Sequence, residues 1–287
     1  MANGVKTAVL LAGLAGLIML GGSFFGQGGL IIAFGISVVM IGGSYWFSDK
    51  LAIRSARAVE VEPGQLPEYH AIMHELTQVA EMPMPRIYVS PEQQPNAFAT
   101  GRGPNHAAVC VTEGLLRTLS WDEIRGVLAH ELAHIKNRDI LIGSVAAMIA
   151  TAISFMAQFA YFARFFGGGS RDGNGGSNPF VLLAFAIFAP MAAGVLQMAI
   201  SRSREYEADR TAARMINDGE PLARALEKLH GFSLQVPSQV PQTQASHYII
   251  NPLAGRKASF SNLFSTHPKA EDRISRLRSG EWRQTGF

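Results

Sequence analysis

Residues 120–139 read SWDEIRGVLAHELAHIKNRD, and this stretch decides how the rest of the chain is interpreted. Ser120 followed three residues later by Glu123 is a capping box, which predicts a helix that begins after Ser120. Apolar residues recur through the stretch with helical spacing. On this helix His130 and His134 lie one turn apart on the same face, so both imidazoles can bind one metal ion.

The two histidines enclose Glu131, which completes the pattern H-E-x-x-H. Its carboxylate is placed to take a proton from a water beside the metal. Catalytic zinc needs a third protein ligand. Glu205 and Asp209 lie four residues apart on a predicted helix at 202–217, so one can bind zinc while the other accepts a hydrogen bond from a histidine ligand. Spacing alone does not separate Glu205 from Glu207.

The composition excludes several classes of protein. Charged residues make up only 16% of the 287 residues and hydrophobic residues 48%, against about 25% charged in ordinary soluble domains. A disordered chain is therefore excluded. The single cysteine, Cys110, excludes an internal disulfide framework and a cysteine-rich zinc module. A net charge of +3 with no basic stripe predicts no nucleic-acid partner.

The apolar residues are concentrated in uncharged runs. A membrane helix needs about 20 apolar residues, and the runs supply four candidate spans, at 5–22, 30–47, 140–163 and 180–200. We expect a tight turn at 26–29 inside the first pair and a glycine-rich loop inside the second. The alternatives are a cleaved signal peptide for the first span and a buried helical hairpin for the second pair.

Lysine and arginine placement predicts the orientation of these spans. The basic residues that flank the runs lie on the side of the polar segments, which is therefore the cytoplasmic side; they are Lys50, Arg54, Arg57, Lys136, Arg138, Arg202 and Arg204. This predicts four regions: an N-terminal transmembrane hairpin at 1–48, a cytoplasmic catalytic part at 49–139, a second hairpin at 140–200 and a second cytoplasmic catalytic part at 201–287.

The zinc is predicted just outside the hydrocarbon. If the helix continued unbroken, His134 would lie about 9 Å before residue 140, where the third span starts. Arg138 and Asp139 intervene, and charges inside the bilayer are costly.

The polar segments predict a mainly α fold with a small β-sheet, an α+β arrangement. Hydrophobic periodicity and breaker residues predict further helices at 67–81, 222–232 and 269–279, strands at 86–90, 96–100 and 107–112, a turn at 101–105 and a loop at 236–245. The segment Asn96, Ala97, Phe98 and Ala99 is most simply a strand, and as a sheet edge it would bind an extended substrate backbone.

Several motifs together resemble one family. They are 130–139, Arg202-x-x-Glu205-x-x-Ala208-Asp209, 96–101, 265–268 and Arg273-Ile274-x-x-Leu277. The pattern resembles the integral-membrane zinc metalloproteases of the HtpX and CAAX prenyl protease type, and the chain length favours the HtpX type. The resemblance implies a gluzincin fold, Glu205 as third ligand to one Zn²⁺ per chain, and Asp209 behind the ligands. It also implies a role for His267, whose imidazole can donate to the oxyanion that develops on the scissile carbonyl.

The resemblance further implies a bacterial inner-membrane protease with its site in the cytoplasm, active in stress response and membrane-protein quality control. Its substrates would be misfolded or damaged membrane proteins cut in their cytoplasmic regions, and its partners the lipid bilayer and other membrane proteases or regulators. The alternatives are a non-catalytic membrane chaperone or scaffold that retains the zinc site, and a zinc transporter. The intact Glu131 argues against the scaffold, and the lack of ionisable residues in the runs argues against the transporter.

Overall fold

The computed structural model describes residues 26–140, 202–235 and 268–284, together with residues 12, 15, 16 and 19. Internal contacts divide the chain into two units. One comprises Met1–Ser44 and Ile142–Ala199, and the other comprises Tyr45–Leu141 and Ile200–Phe287. The histidine pair and its acidic partners all belong to the second unit.

Helix α1 spans Gly26–Ser55. The predicted turn at 26–29 is therefore wrong, because these residues lie within the helix. Glycine lowers helix propensity by about 1 kcal/mol relative to alanine, but it does not forbid a helix that the apolar residues after it continue.

The predicted spans are not established by the described residues. The segment at 30–47 lies within α1, whereas 140–163, 180–200 and most of 5–22 fall outside the described part. Within that part, none of the helices combines the length and the apolar character needed to cross a bilayer.

A four-stranded sheet follows α1. Its strands are β1 (Val59–Glu60), β2 (Arg86–Ser90), β3 (Ala97–Gly103) and β4 (His106–Thr112), in the order β1-β2-β4-β3. β2 and β4 are parallel, and the other neighbours are antiparallel. β4 is buried along almost its whole length, as expected for an apolar central strand, and β3 forms one end of the described sheet.

The three predicted strands are confirmed, and the sheet also contains one that was not predicted. β1 has only two residues, too few to show an alternating pattern. The predicted turn at 101–105 is shorter than expected, because β3 continues to Gly103 and β4 begins at His106. Gly101 adopts a φ of 125° beside a register shift, a conformation that a residue with a Cβ rarely adopts.

Helices make up most of the rest of the described chain. They are α2 (Pro67–Ala80), α3 (Glu113–Thr118), α4 (Trp121–Lys136), α5 (202–216), α6 (Glu220–Gln235) and α7 (Ala270–Ser279), followed by a 3-10 turn at Glu281–Arg283. α2, α5, α6 and α7 are confirmed to within three residues of the predicted ends, and α4 begins where predicted, whereas α3 and the 3-10 turn were not predicted. The predicted loop at 236–245 lies outside the described residues.

α4 is the central helix of the second unit. It packs against β3, α2 and α6, and α7 packs on α6. Ile124, Leu128, Leu132 and Ile135 of α4 are fully buried among these neighbours. Burial on several sides holds α4 rigidly, which positions any side chain that it presents to a site.

α4 ends at Lys136, so the helix does not continue unbroken to residue 140. Asn137 caps the helix, and Arg138 has a φ of 59°, in the left-handed region. This conformation ends the regular hydrogen bonding and turns the chain back. Asp139 is thereby returned toward the end of α4 and buried there.

Candidate metal centre

The imidazoles of His130 and His134 meet on the buried face of α4. Their Nε2 atoms are 3.2 Å apart, and the two rings are nearly perpendicular. Both hydrogen bonds of the predicted capping box at Ser120 and Glu123 are present, so the start of α4 is as predicted. The spacing of the two histidines within a helix is sufficient to bring these nitrogens together.

Glu205 of α5 faces the histidine pair. Its Oε2 atom is 3.5 Å from His130 Nε2, and its Oε1 atom is 3.6 Å from His134 Nε2. The side chain is buried, with the residue only 7% exposed. Glu207, which the spacing could not distinguish from Glu205, is instead exposed and pairs with Arg210 at 3.0 Å.

The spacing of the three donor groups fits a tetrahedral metal ion. Two ligand atoms bound at about 2.0–2.1 Å with tetrahedral angles lie roughly 3.3 Å apart. The imidazole nitrogens, 3.2 Å apart, are close to this value, and the two different oxygens of Glu205 lie 3.5 and 3.6 Å from them. Within the part of the chain that the structure describes, His130, His134 and Glu205 form the cluster that could hold a metal ion. Two imidazoles and a carboxylate suit zinc in particular.

Asp209 is placed to orient His130, one turn along α5 from Glu205. Its Oδ1 atom is 3.0 Å from His130 Nδ1, which leaves Nε2 directed at the metal position. Burial raises the pKa of Asp209, but Arg273 and His130 outweigh burial and hold this pKa below its usual range. Asp209 is therefore an ionised acceptor at neutral pH.

The centre is electrostatically suited to a cation. Burial lowers the pKa of His130, but the adjacent Asp209 and Glu205 carboxylates outweigh it and raise this pKa to about 9. The same negative potential that favours a proton on an imidazole favours a divalent cation between the ligands.

Asp139 is placed to orient His134 as Asp209 orients His130, a role that the sequence did not predict. Its Oδ2 atom is 3.2 Å from His134 Nδ1, and Arg204 donates to its backbone carbonyl at 3.2 Å. The resemblance included Asp139 in a motif without assigning it a role. The signal in the sequence was an acidic residue directly after the predicted end of the histidine helix.

Glu131 lies beside the cluster, only 5% exposed. Burial raises the pKa of its carboxyl, whereas the two imidazoles and a hydrogen bond from the Ala99 backbone lower it in part. The net shift is upward, toward the range in which a carboxylate acts as a general base. The contact with Ala99 links Glu131 to β3.

β3 contains three of the four predicted substrate-binding residues, and Asn96 precedes it. Ala97 is buried in the main core, and Phe98 packs on the cluster of Tyr88, Ala108 and Cys110. These two side chains are engaged in packing. A peptide at this end of the described sheet would therefore meet the backbone of the strand.

Arg273 of α7 also enters the site, although the sequence analysis assigned it no role. Its guanidinium contacts Asp209 and Glu205. The signal was its position, because Ala270, Arg273 and Leu277 share the buried face of α7 and arginine is unusual there.

The remaining residues singled out in the sequence are His267 and Cys110. His267 falls outside the described residues, and its role stays a prediction. Cys110 is fully buried, and burial raises the pKa of its thiol to about 12. A thiol with this pKa is inert at neutral pH.

Two imidazoles from an H-E-x-x-H helix, a carboxylate from a later helix and a buried glutamate define the site of a metallopeptidase. The chain belongs to peptidase family M48, which its residues 63–281 match. The match includes α4, α5 and α7. Membership of this family implies a bound metal ion.

Curated relatives match along almost the whole chain. A "Protease HtpX homolog" from Syntrophobacter fumaroxidans is 50% identical over 283 residues, covering 97% of this chain and 100% of the relative. A protein of the same name from Desulforapulum autotrophicum is 50% identical over 288 residues, covering 100% of this chain and 93% of the relative.

The fold is also similar to that of a solved structure. The crystal structure of S. mikatae Ste24p superposes with a TM-score of 0.59 at 21% sequence identity. The similarity covers 96% of this chain but only 65% of the longer Ste24p chain. At this identity the comparison establishes a shared fold alone.

Proposed function

We propose that this chain is a zinc-dependent endoprotease of the bacterial inner membrane that cuts misfolded or damaged membrane proteins in their cytoplasmic segments. The observation that carries the proposal is the meeting of two imidazoles and the Glu205 carboxylate, with Glu131 buried beside them. Relatives named as proteases at 50% identity support the same reaction.

His130, His134 and Glu205 would hold one Zn²⁺ per chain. Three protein ligands are the set typical of catalytic zinc, since they leave a position for a reacting group. When bound there, Zn²⁺ supplies Lewis-acid chemistry to the scissile carbonyl and the attacking water.

Glu131 is the general base in this proposal. Its carboxylate takes a proton from the attacking water and delivers it to the nitrogen of the leaving amine. Burial, which raises its pKa, equips the same group to hold the proton between these steps. We assign His267 the donation of a hydrogen bond to the developing oxyanion, as the family resemblance implies.

The substrate would bind along β3 as an additional extended strand. β3 ends the described sheet, and Ala99 connects it to Glu131. A peptide that pairs with this backbone is read mainly through its main chain, so cleavage should depend only loosely on side chains.

The membrane attachment is part of the proposal. Six of the described side chains of α1 are more than half exposed although they are apolar: Ile31, Phe34, Val38, Val39, Trp46 and Phe47. An exposed apolar row of this kind favours a lipid environment. We propose that the uncharged runs form two hairpins, at 1–48 and 140–200, and that the catalytic parts at 49–139 and 201–287 face the cytoplasm.

The first prediction tests the reaction itself. Glu131→Gln should lower the rate of cleavage of a membrane-protein substrate by at least about 10²-fold, because it removes the general base. It should leave the zinc content at that of the wild type, because Glu131 is not a ligand. Cleavage is followed by gel electrophoresis and zinc by elemental analysis of the purified chain.

Glu207→Gln is the matched control, because Glu207 is an exposed carboxylate on the ligand helix and its loss should change neither quantity. Undiminished cleavage by the Glu131→Gln variant would refute the proposed protease activity. A wild-type chain that binds zinc, retains a membrane protein and cleaves nothing would favour the non-catalytic scaffold.

A further inference from the structure

Arg273 is an arginine in the interior of the second unit, only 1% exposed. Arginine is almost never buried in this way unless it is paired. Its Nε and Nη2 atoms donate to the two carboxylate oxygens of Asp209 at 2.8 and 2.7 Å. This is the two-pronged geometry that fixes a carboxylate in orientation as well as in position.

The same guanidinium reaches the predicted ligands. Its Nη1 atom is 3.4 Å from Glu205 Oε2, and its Nη2 atom is 3.5 Å from His130 Nε2. Arg273 therefore contacts both the Glu205 carboxylate and the His130 ring, and it also reaches the other side of that ring through Asp209.

The two ligand-side carboxylates repel each other, and the contact with Arg273 offsets this repulsion. Glu205 and Asp209 lie one turn apart on α5 and are both buried. Like charges repel strongly away from water. The positive charge that lies against both comes from α7, which is distant in the chain.

α7 is docked mainly by buried side chains such as Leu277, and its exposed ion pairs outside the site contribute little. Arg278 bridges to Glu220 at 3.1 Å and to Glu227 at 3.0 Å on α6. Loss of Arg278 therefore removes an arginine from α7 while leaving the helix docked, which makes it a control for the loss of Arg273.

We propose that Arg273 is a positioning residue that clamps Glu205 and Asp209 in the arrangement that binds the metal. The centre is then complete only when α7 is docked, although α7 supplies no ligand. This inference rests on the proposed zinc site and adds to it a residue outside the ligand set.

The test compares Arg273→Gln, Arg273→Lys and Arg278→Gln in the full 287-residue chain. Zinc affinity is measured by competition with a chromophoric chelator, and ligand geometry by the visible absorption of the Co²⁺-loaded chain. Unfolding of the metal-free chain and separate kcat and KM values complete the set. Arg278→Gln is the control, since it removes an exposed arginine from the same helix.

We expect Arg273→Gln to weaken zinc binding about 10–100-fold, the range found when partners of metal ligands are lost. The Co²⁺ absorption should change, and kcat should fall with little change in KM. Arg273→Lys should recover part of the affinity, because it keeps the charge but not the two-pronged contact. Arg278→Gln should bind zinc as the wild type does.

A double variant identifies the route of the effect. If Arg273 acts through Asp209, then Arg273→Gln and Asp209→Asn together should cost less zinc affinity than the sum of the single changes.

Wild-type zinc affinity and Co²⁺ absorption in a folded Arg273→Gln chain would overturn the inference and leave the proposed function intact. If Arg273→Gln does not fold, wild-type affinity in Arg273→Lys overturns it equally. A wild-type chain that binds no zinc would overturn both the inference and the proposed function.

Discussion

Asp139 shows how a single backbone conformation shapes the candidate site. It follows the last residue of α4 by three positions and therefore cannot reach His134 by helical spacing. The left-handed conformation of Arg138 returns it to the imidazole, 3.2 Å from Nδ1. A carboxylate on Nδ1 selects the tautomer whose Nε2 atom is free to bind a metal.

Asp139→Asn should therefore weaken zinc binding by about 10–100-fold. The amide keeps the size of the side chain but loses the negative charge that orients His134. Chelator competition on the purified chain measures the change. Asp122→Asn, at an exposed site at the start of α4, is the control; equal zinc affinities in the two variants would show that Asp139 does not orient the ligand.

At the scale of elements, the start of α4 combines a capping box in the local sequence with a tertiary contact to α6. Glu123 accepts from the Ser120 backbone at 2.8 Å and from Lys228 of α6, also at 2.8 Å. Burial raises the pKa of Glu123, but Lys228 and Ser120 outweigh burial and lower this pKa below its usual value. The ionised side chain thus caps α4 and ties it to α6.

Glu123→Gln should lower the free energy of unfolding by about 1–2 kcal/mol at pH 7. Because the pKa of Glu123 is lowered by folding, its contribution is present above the unfolded value of about 4.3 and is lost as the pH falls through the folded value. The difference between wild type and variant should therefore shrink below about pH 4. Denaturant unfolding at several pH values measures it.

Glu113→Gln provides the comparison, because Glu113 also lies in the first turn of a helix but makes an exposed pair with Arg117. Its loss should change the free energy of unfolding by less than about 1 kcal/mol. A pH-independent difference for Glu123→Gln would contradict the role of its charge.

At the scale of the whole second unit, the site requires three chain segments to pack together. α4 brings the histidines, α5 the carboxylates and α7 the arginine. α4 and α6 approach so closely at Gly126 that an added Cβ would lie 2.5 Å from the Leu222 backbone nitrogen and 2.9 Å from the Pro221 carbonyl carbon. This close approach leaves no room for a side chain.

Gly126→Ala should lower the free energy of unfolding by about 1–3 kcal/mol, because overpacking against rigid backbone outweighs the gain in helix propensity. Gly231→Ala on α6 is the matched variant, since nothing lies within 4 Å of its added Cβ. It should raise the same free energy by up to about 1 kcal/mol. Thermal and denaturant unfolding distinguish them; stabilisation by both changes would contradict the close packing.

The predictable features were those encoded over short distances. The capping box, the pairing of His130 with His134, and the individual strands depend on residues within a few positions of one another. The unpredicted elements were too short to show a pattern, or, like the first turn of α1, contained residues that locally favour a break.

The sequence by itself determined the H-E-x-x-H helix and the metallopeptidase family, because a helix brings residues four apart onto one face whatever surrounds it. Spacing left Glu205 and Glu207 open and the family resemblance named Glu205, which the tertiary structure places at the histidines while Glu207 is exposed. Only the tertiary structure brought Asp139 and Arg273 into the site. Asp209 and Arg273 are 64 residues apart in the chain, and His130 and Arg273 are 143 apart. Contacts at such separations arise from packing between helices, which local spacing does not encode.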